Sequence, residues 1–323
     1  MLNIPNSILK KLEDKNNVLV VGMGGGQDVL AGLPLYFTLT KQGKKVHLAN
    51  LAHTEISTLR EHTEPIIMDN ALYGATGNIH NPSTNYVEGY LSNYFKLALH
   101  LDTIVWMFKR THVAELKRAY ERLIDHLKLD AIVFVDGGVD SIMQGDEEGS
   151  GTMFEDTLTL AATKDINITK VLACVGFGTE IEERLSHYRA LENIANITKQ
   201  GGFHGSCSIV SHMNAFKFYK SACEHIWSQP GHKKSHISTR IISAAQGDFG
   251  NIHIYDQENE NPIEICISPL MNIYWFFEPD AAVYNNQIIP HIEVSQSLIE
   301  AMQAAIPRIQ KIITRERKPI PYI

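Results

Sequence analysis

The sequence predicts an α/β protein built on a doubly wound, mostly parallel sheet with helices on both faces. Three apolar runs carry that expectation, at residues 18–21, 131–135 and 171–175. Continuous aliphatic runs of this length suit strands buried on both faces. Each run leads into a glycine turn, and each turn into a segment of helical length or pattern. The last glycine of each turn is followed two residues later by an acid: Asp28, Asp140 and Glu180.

The first of these units organises the rest. Residues 17–42 read NVLVVGMGGGQDVLAGLPLYFTLTKQ. The strand ends at Gly22, and Gly24, Gly25, Gly26 and Gln27 form the turn before Asp28. Glycine reaches unusual φ values and admits a close approach. A turn feeding a helix presents free N–H groups at the positive end of the helix dipole, where an anion can sit. Pro34 either kinks the following helix or marks a later true start. Residues 45–50 complete a β-α-β unit.

The second turn follows Asp136 with Gly137, Gly138 and Asp140, and the third carries Gly176, Gly178 and Glu180. In an open parallel sheet, ligands bind outside the carboxyl ends of the strands. Three such turns with their acids therefore predict one composite site. Each acid alone also has a plain structural reading, as a helix cap that complements the dipole.

Between these units the chain is punctuated more simply. Residues 53–83 are polar and weakly periodic, and suit a cover over the strand ends. His53, Glu55, His62, Glu64 and Asp69 lie there, as candidate ligands or as solvated side chains. Residues 85–99 read as a helix and 103–108 as a strand. Val113, Leu116, Tyr120, Leu123, Ile124 and Leu127 recur at helical spacing and predict a core-facing stripe. The stretch QGDEEGSGT at 144–152 adds Asp146, Glu147 and Glu148 to Asp136 and Asp140. Glu147 and Glu148 read as solvated there. Residues 153–163 and 180–199 read as helices, as does 214–227. Residues 251–255 and 263–267 form a hairpin signal around a polar connection at 256–262. The aromatic run at 272–277 suits core packing or a subunit contact, so a homo-oligomer stays open. A closing helix is expected over 294–313, with Pro307 as a kink, and a short lead-in helix over 1–16.

Composition narrows the function classes. The net charge is −7, from 29 Lys and Arg against 36 Asp and Glu. That balance argues against a nucleic-acid or anionic-membrane footprint. No apolar run approaches the roughly 20 residues of a membrane-spanning helix, and the amphipathic start lacks a signal-peptide core. Cys174, Cys207, Cys223 and Cys266 are widely spaced, without C-x-x-C. They read as buried thiols in a reducing, cytoplasmic setting. The Walker-type phosphate loop, the G-x-S-x-G elbow and H-E-x-x-H are all missing. A dinucleotide fingerprint would place an acid at the end of the second strand, where Asn50 stands, and a third glycine where Gln27 stands.

The phrases GMGGGQDVLAGLPL, VFVDGGVDS, VGFGTEIE and WFFEPDAAVYNN resemble the prokaryotic family grouped as domain of unknown function 1152. The resemblance spans nearly the whole chain. It implies a Rossmann-like fold and favours one α/β domain over residues 1–323; the hairpin signal adds a C-terminal elaboration over 205–323. The resemblance implies no substrate.

Three functional readings follow from the residues. The first is a transferase- or hydrolase-type enzyme acting on a small phosphorylated or otherwise anionic ligand, such as a nucleotide or sugar phosphate. Gly24, Gly25 and Gly26 would cradle the anion. Asp140, with Asp136 or Asp28, would act in proton transfer or, as Asp136 and Asp140, hold Mg²⁺ or another divalent ion. The cation enters because bare carboxylates repel an anion. The second reading is a ligand-sensing or regulatory binding protein without chemistry. The third, weaker on the Asn50 and Gln27 grounds, is a dinucleotide-dependent oxidoreductase.

Overall fold

The computed structural model describes residues 10–54, 59–61, 63–81, 86–254, 263–311 and 314–320. The first unit runs β1 (Asn17–Gly22), α1 (Asp28–Ala31), α2 (Leu33–Lys41) and β2 (Lys45–Ala52). Pro34 marks a true start: α1 ends at Ala31, and α2 begins beyond Gly32 with the proline in its first turn. Two short strands follow, β3 (Ile66–Ile67) and β4 (Leu72–Ala75), then α3 (Val87–Leu99) and β5 (Val105–Lys109). Next come α4 (Val113–Leu127), β6 (Ala131–Asp136), α5 (Phe154–Thr163), β7 (Thr169–Val175) and α6 (His187–Lys199). The last third holds β8 (Phe203–Ser208), α7 (Asn214–Trp227), α8 (His236–Gln246), β9 (Gly250–Ile254), β10 (Ile263–Ile267) and β11 (Ile273–Phe277). The helices α9 (Pro279–Asn285), α10 (Ile289–Ile292) and α11 (Leu298–Lys311) close the chain.

Nine strands form one sheet in the order β3-β4-β5-β2-β1-β6-β7-β11-β8. The pairings from β5 through β2, β1 and β6 to β7 are parallel. Pairs β4–β5, β11–β7 and β11–β8 are antiparallel, so the sheet is mixed at both edges. The chain moves from β1 toward β2 and β5, then returns to the other side of β1 with β6 and β7. The switch point therefore lies between β1 and β6, where a crevice opens at the carboxyl ends of the strands.

Alternation along β1 accounts for the two layers. Val18 and Val20 face a core built with α2, α3, α7 and α8. Leu19 and Val21 face a core built with α4, α5, α6 and the closing helices. The stripe foreseen on α4 packs there, with Val113, Leu116, Tyr120 and Leu123 buried. The aromatic run becomes β11, whose Tyr274 hydroxyl donates to the Ala31 carbonyl at 2.6 Å. This bond ties the antiparallel part of the sheet to the first helix.

Several boundaries differ from the sequence reading. α6 starts at His187 rather than 180, because residues 176–186 form a turn with Gly176 and Gly178 at φ of 97° and 91°. α11 runs through Pro307 from Leu298. Cys266 is exposed because β9 and β10 form a separate two-stranded sheet, whose inner face takes Ile265 and Ile267. Cys207 is exposed as well, on the edge strand β8. The start of the expected lead-in helix, the 256–262 connection, Glu55 and His62 lie outside the described residues.

Glu147 is also not solvated. It is 5% exposed and accepts the backbone N–H groups of Gln144 and Gly145 at 2.9 and 2.8 Å. Asn193 donates to it at 2.7 Å, and Arg315 from the C-terminal segment at 2.8 Å. Arg315 also holds Asp146 at 2.6 Å, and its backbone pairs with residues 146–148. The end of the chain is thus strapped across the acidic loop that leads into α5. Replacing Arg315 with Met strands a buried carboxylate, and urea unfolding should show a loss of about 2–3 kcal/mol. A loss within roughly 0.5 kcal/mol, the range of an ordinary surface substitution, would contradict this account of the strap.

Candidate functional site

Five carboxylates converge at the switch point. Asp136 closes β6, and Asp28 opens α1 just beyond the β1 turn. Asp140 sits in a 3₁₀ turn after β6, Glu180 in the turn after β7, and Asp156 in the first turn of α5. Asp136, Asp140, Asp156 and Glu180 are 3%, 4%, 2% and 3% exposed. One carboxylate oxygen from each of Asp28, Asp136 and Asp156 lies within 4.8 Å of the other two.

The glycine turns make this crowding possible. A Cβ added at Gly24 would stand 2.7 Å from Asp156 Oδ2 and 2.8 Å from Asp28 Oδ2. One at Gly137 would meet Asp28 Oδ1 at 2.6 Å, and one at Gly138 the Glu180 carboxyl carbon at 2.4 Å. The turn amides are already committed to these acids. Gly24 N–H donates to Asp28 at 2.9 Å, Ser141 N–H to Asp136 at 3.0 Å and Val139 N–H to Glu180 at 2.7 Å. Thr152 donates its N–H and hydroxyl to Asp140 at 2.9 and 3.1 Å. Amides that could have held an anion instead hold the chain's own carboxylates.

The cavity measures about 170 Å³. Its lining includes Gly24, Gly25, Gly26, Gln27 and Gly137 with Asp28, Asp136, Asp140, Asp156 and Glu180. Gly22, Gly138, Gly176 and Gly178 lie behind it. Gln27 is braced by the Trp227 indole N–H at 3.0 Å and reaches the Lys233 carbonyl at 3.2 Å. His53 lines the cavity too, and no lysine or arginine among the described residues does. Nearby, Arg110 pairs with Glu155 at 2.8 Å. Partial burial and the Arg110 charge hold the His53 imidazole below its usual value.

Burial pushes all five acids upward. Asp136 rises from 3.8 to about 7, through burial first and the Asp140 charge second. Asp28 and Asp156 rise through burial and then the charges of the other aspartates. Asp140 and Glu180 are raised by burial too, and the Asp140 charge adds to the rise of Glu180. Asp156 is the member that sequence reasoning missed. Its Oδ1 is buried and has no hydrogen-bond partner among the described residues. The sequence places it only in the first turn of a helix; the fold shows that α5 brings this turn to the β1 and β6 ends.

The family model described as "Protein of unknown function (DUF1152)" matches residues 71–315. The chain belongs to that family. No curated protein and no solved structure is significantly similar to it. Among the described residues, no helix is long and apolar enough to cross a membrane.

The raised carboxyl groups set a pH dependence with a definite sign. Between about pH 4 and about pH 7 the folded chain holds protons that the unfolded chain has released, so stability falls as pH rises. Thermal unfolding in the presence of a chelator should show this fall, and Asp156→Asn should flatten it. Stability that climbs through this window, or an unchanged slope in the variant, would contradict the assignment.

Proposed function

We propose that the protein is a divalent-metal-dependent enzyme acting on a small phosphorylated or otherwise anionic ligand. The cation sits between Asp28, Asp136 and Asp156. The observation that carries this reading is the buried Asp156 Oδ1, which has no hydrogen-bond partner among the described residues and lies near two further carboxylates in a cavity that no described cationic side chain lines. At 4 Å, two like charges near a protein surface repel by about 4 kcal/mol. Protons relieve that repulsion at low pH, and a divalent ion relieves it at neutral pH. An all-oxygen ligand set suits Mg²⁺ or Mn²⁺, which keep positions for water and substrate oxygens.

A bound cation would supply charge stabilisation at a phosphoryl or carboxylate oxygen, or an activated water. The chain's own residues do the rest. Asp28 and Asp136 are fixed by backbone N–H groups, so their oxygens point into the cavity without a reorganisation cost. Burial favours the protonated forms of Asp140 and Glu180 beside them, a proton source for a leaving group. Neutral His53 in the cavity lining can accept a proton.

The dinucleotide reading loses ground at Asn50. Asn50 is fully buried, and its amide donates to the Gly26 carbonyl at 3.0 Å and to buried Glu88 at 2.7 Å. The place where a ribose-binding acid would stand is packed shut.

A thermal-shift screen of nucleotides and sugar phosphates, each with and without Mg²⁺ or Mn²⁺, tests the proposal. A cation at about 100 times its dissociation constant adds roughly 2.7 kcal/mol, several degrees for a chain of this size. Asp156→Asn should abolish the cation effect while raising the midpoint of the cation-free protein. Ligand shifts that persist in a chelator and in the variant would favour a binding protein without metal chemistry.

A further inference from the structure

The turn that delivers Glu180 to the acidic cavity ends at Ser186, where the chemistry is reversed. Ser186 is the N-cap of α6, a helix of 13 residues. A serine there normally accepts a backbone N–H of the first turn. This one makes no such bond, although it is only 2% exposed and its Oγ has no partner. The Nε2 of adjacent His187 is buried and unpartnered as well. Both residues line a cavity of about 390 Å³, separate from the acidic one. The C-terminal segment closes it with Arg317 and Lys318. Among the described residues, no Asp or Glu lines it.

The donors converge from several directions. The first N–H groups of a helix lack intrahelical acceptors and carry the positive end of its dipole. The Arg317 guanidinium lines the cavity and donates through Nη2 to the Leu185 carbonyl at 3.2 Å, one of its five N–H donors. Lys318 Nζ lies 5.6 Å from the Tyr188 ring centroid. The nearby Glu148 carboxylate takes the Arg317 backbone N–H at 2.9 Å. Burial and the Arg317 charge hold His187 below its usual value.

We infer that this cavity binds the phosphate group of a small phosphorylated molecule, held by the α6 N-terminus, the Ser186 hydroxyl, Arg317 and Lys318. A tetrahedral oxyanion presents acceptors to all of these donors at once, which a planar carboxylate does not. The volume leaves room for an organic group beyond the phosphate. The site does not rest on the metal reading. It shares with the acidic cavity only the 176–186 turn.

Inorganic phosphate, titrated into the full chain at constant ionic strength, tests the inference. The His187 ring proton is followed by NMR and assigned by its loss in His187→Gln. The expected result is a saturable movement toward the imidazolium position, because a bound anion favours that form. Arg317→Gln and Ser186→Ala should each weaken binding roughly tenfold while the remaining spectrum stays that of the folded chain. Asp156→Asn should leave it unchanged, which separates this site from the metal site. A movement that does not saturate, or equal affinity in Arg317→Gln, would overturn the inference.

Discussion

Like-charge repulsion in a confined, poorly solvated space is the constraint around which this structure is arranged. Asp28, Asp136, Asp140, Asp156 and Glu180 crowd one cavity of about 170 Å³ at the carboxyl ends of β1, β6 and β7, with Glu183 also in its lining. Every neighbouring feature accommodates them. Gly24, Gly137 and Gly138 are glycines because a Cβ would collide with a carboxylate. The Gly24, Val139 and Ser141 amides fix three of the acids, and burial raises Asp140 and Glu180. Proteins tolerate such repulsion where the cluster has work to do, and perturbed carboxyl groups gather at functional sites for that reason.

The fold places the cluster with little help from loops. β1 and β6 are neighbours across the switch point, so their turns face one another. α5 enters from the side with Asp156 in its first turn, and the 176–186 turn brings Glu180 across. The acidic loop that connects the 3₁₀ turn to α5 is clamped by Arg315, whose guanidinium reaches Asp146, Glu147 and Glu192. The clamp fixes the segment that bears Thr152, the donor to Asp140. The same C-terminal segment supplies Arg317 and Lys318 to a cavity of opposite charge. One strap therefore borders both candidate sites.

Much of this was legible in the residues. Buried parallel strands are continuous apolar runs, and their glycine turns with trailing acids pointed to one composite cluster, in which the fold brings Asp28, Asp136, Asp140 and Glu180 together. The glycines were legible as close-approach positions, but what approaches them was not. A glycine that admits a phosphate and one that admits a carboxylate look alike in sequence. Asp156 was hidden because an acid in a first helical turn has a sufficient local explanation. Glu147 read as solvated because its partner, Arg315, lies 168 residues away. The exposed Cys266 depends likewise on which face another element covers, whereas the late start of α6 follows from the positive-φ glycines of the 176–186 turn.

The most direct measurement is an anomalous difference map from crystals of the full chain soaked in Mn²⁺ near neutral pH. The account predicts a peak coordinated by Asp28, Asp136 and Asp156 that vanishes in Asp156→Asn. A well-ordered cavity with no peak at these carboxylates would contradict it, and so would a peak that survives the substitution.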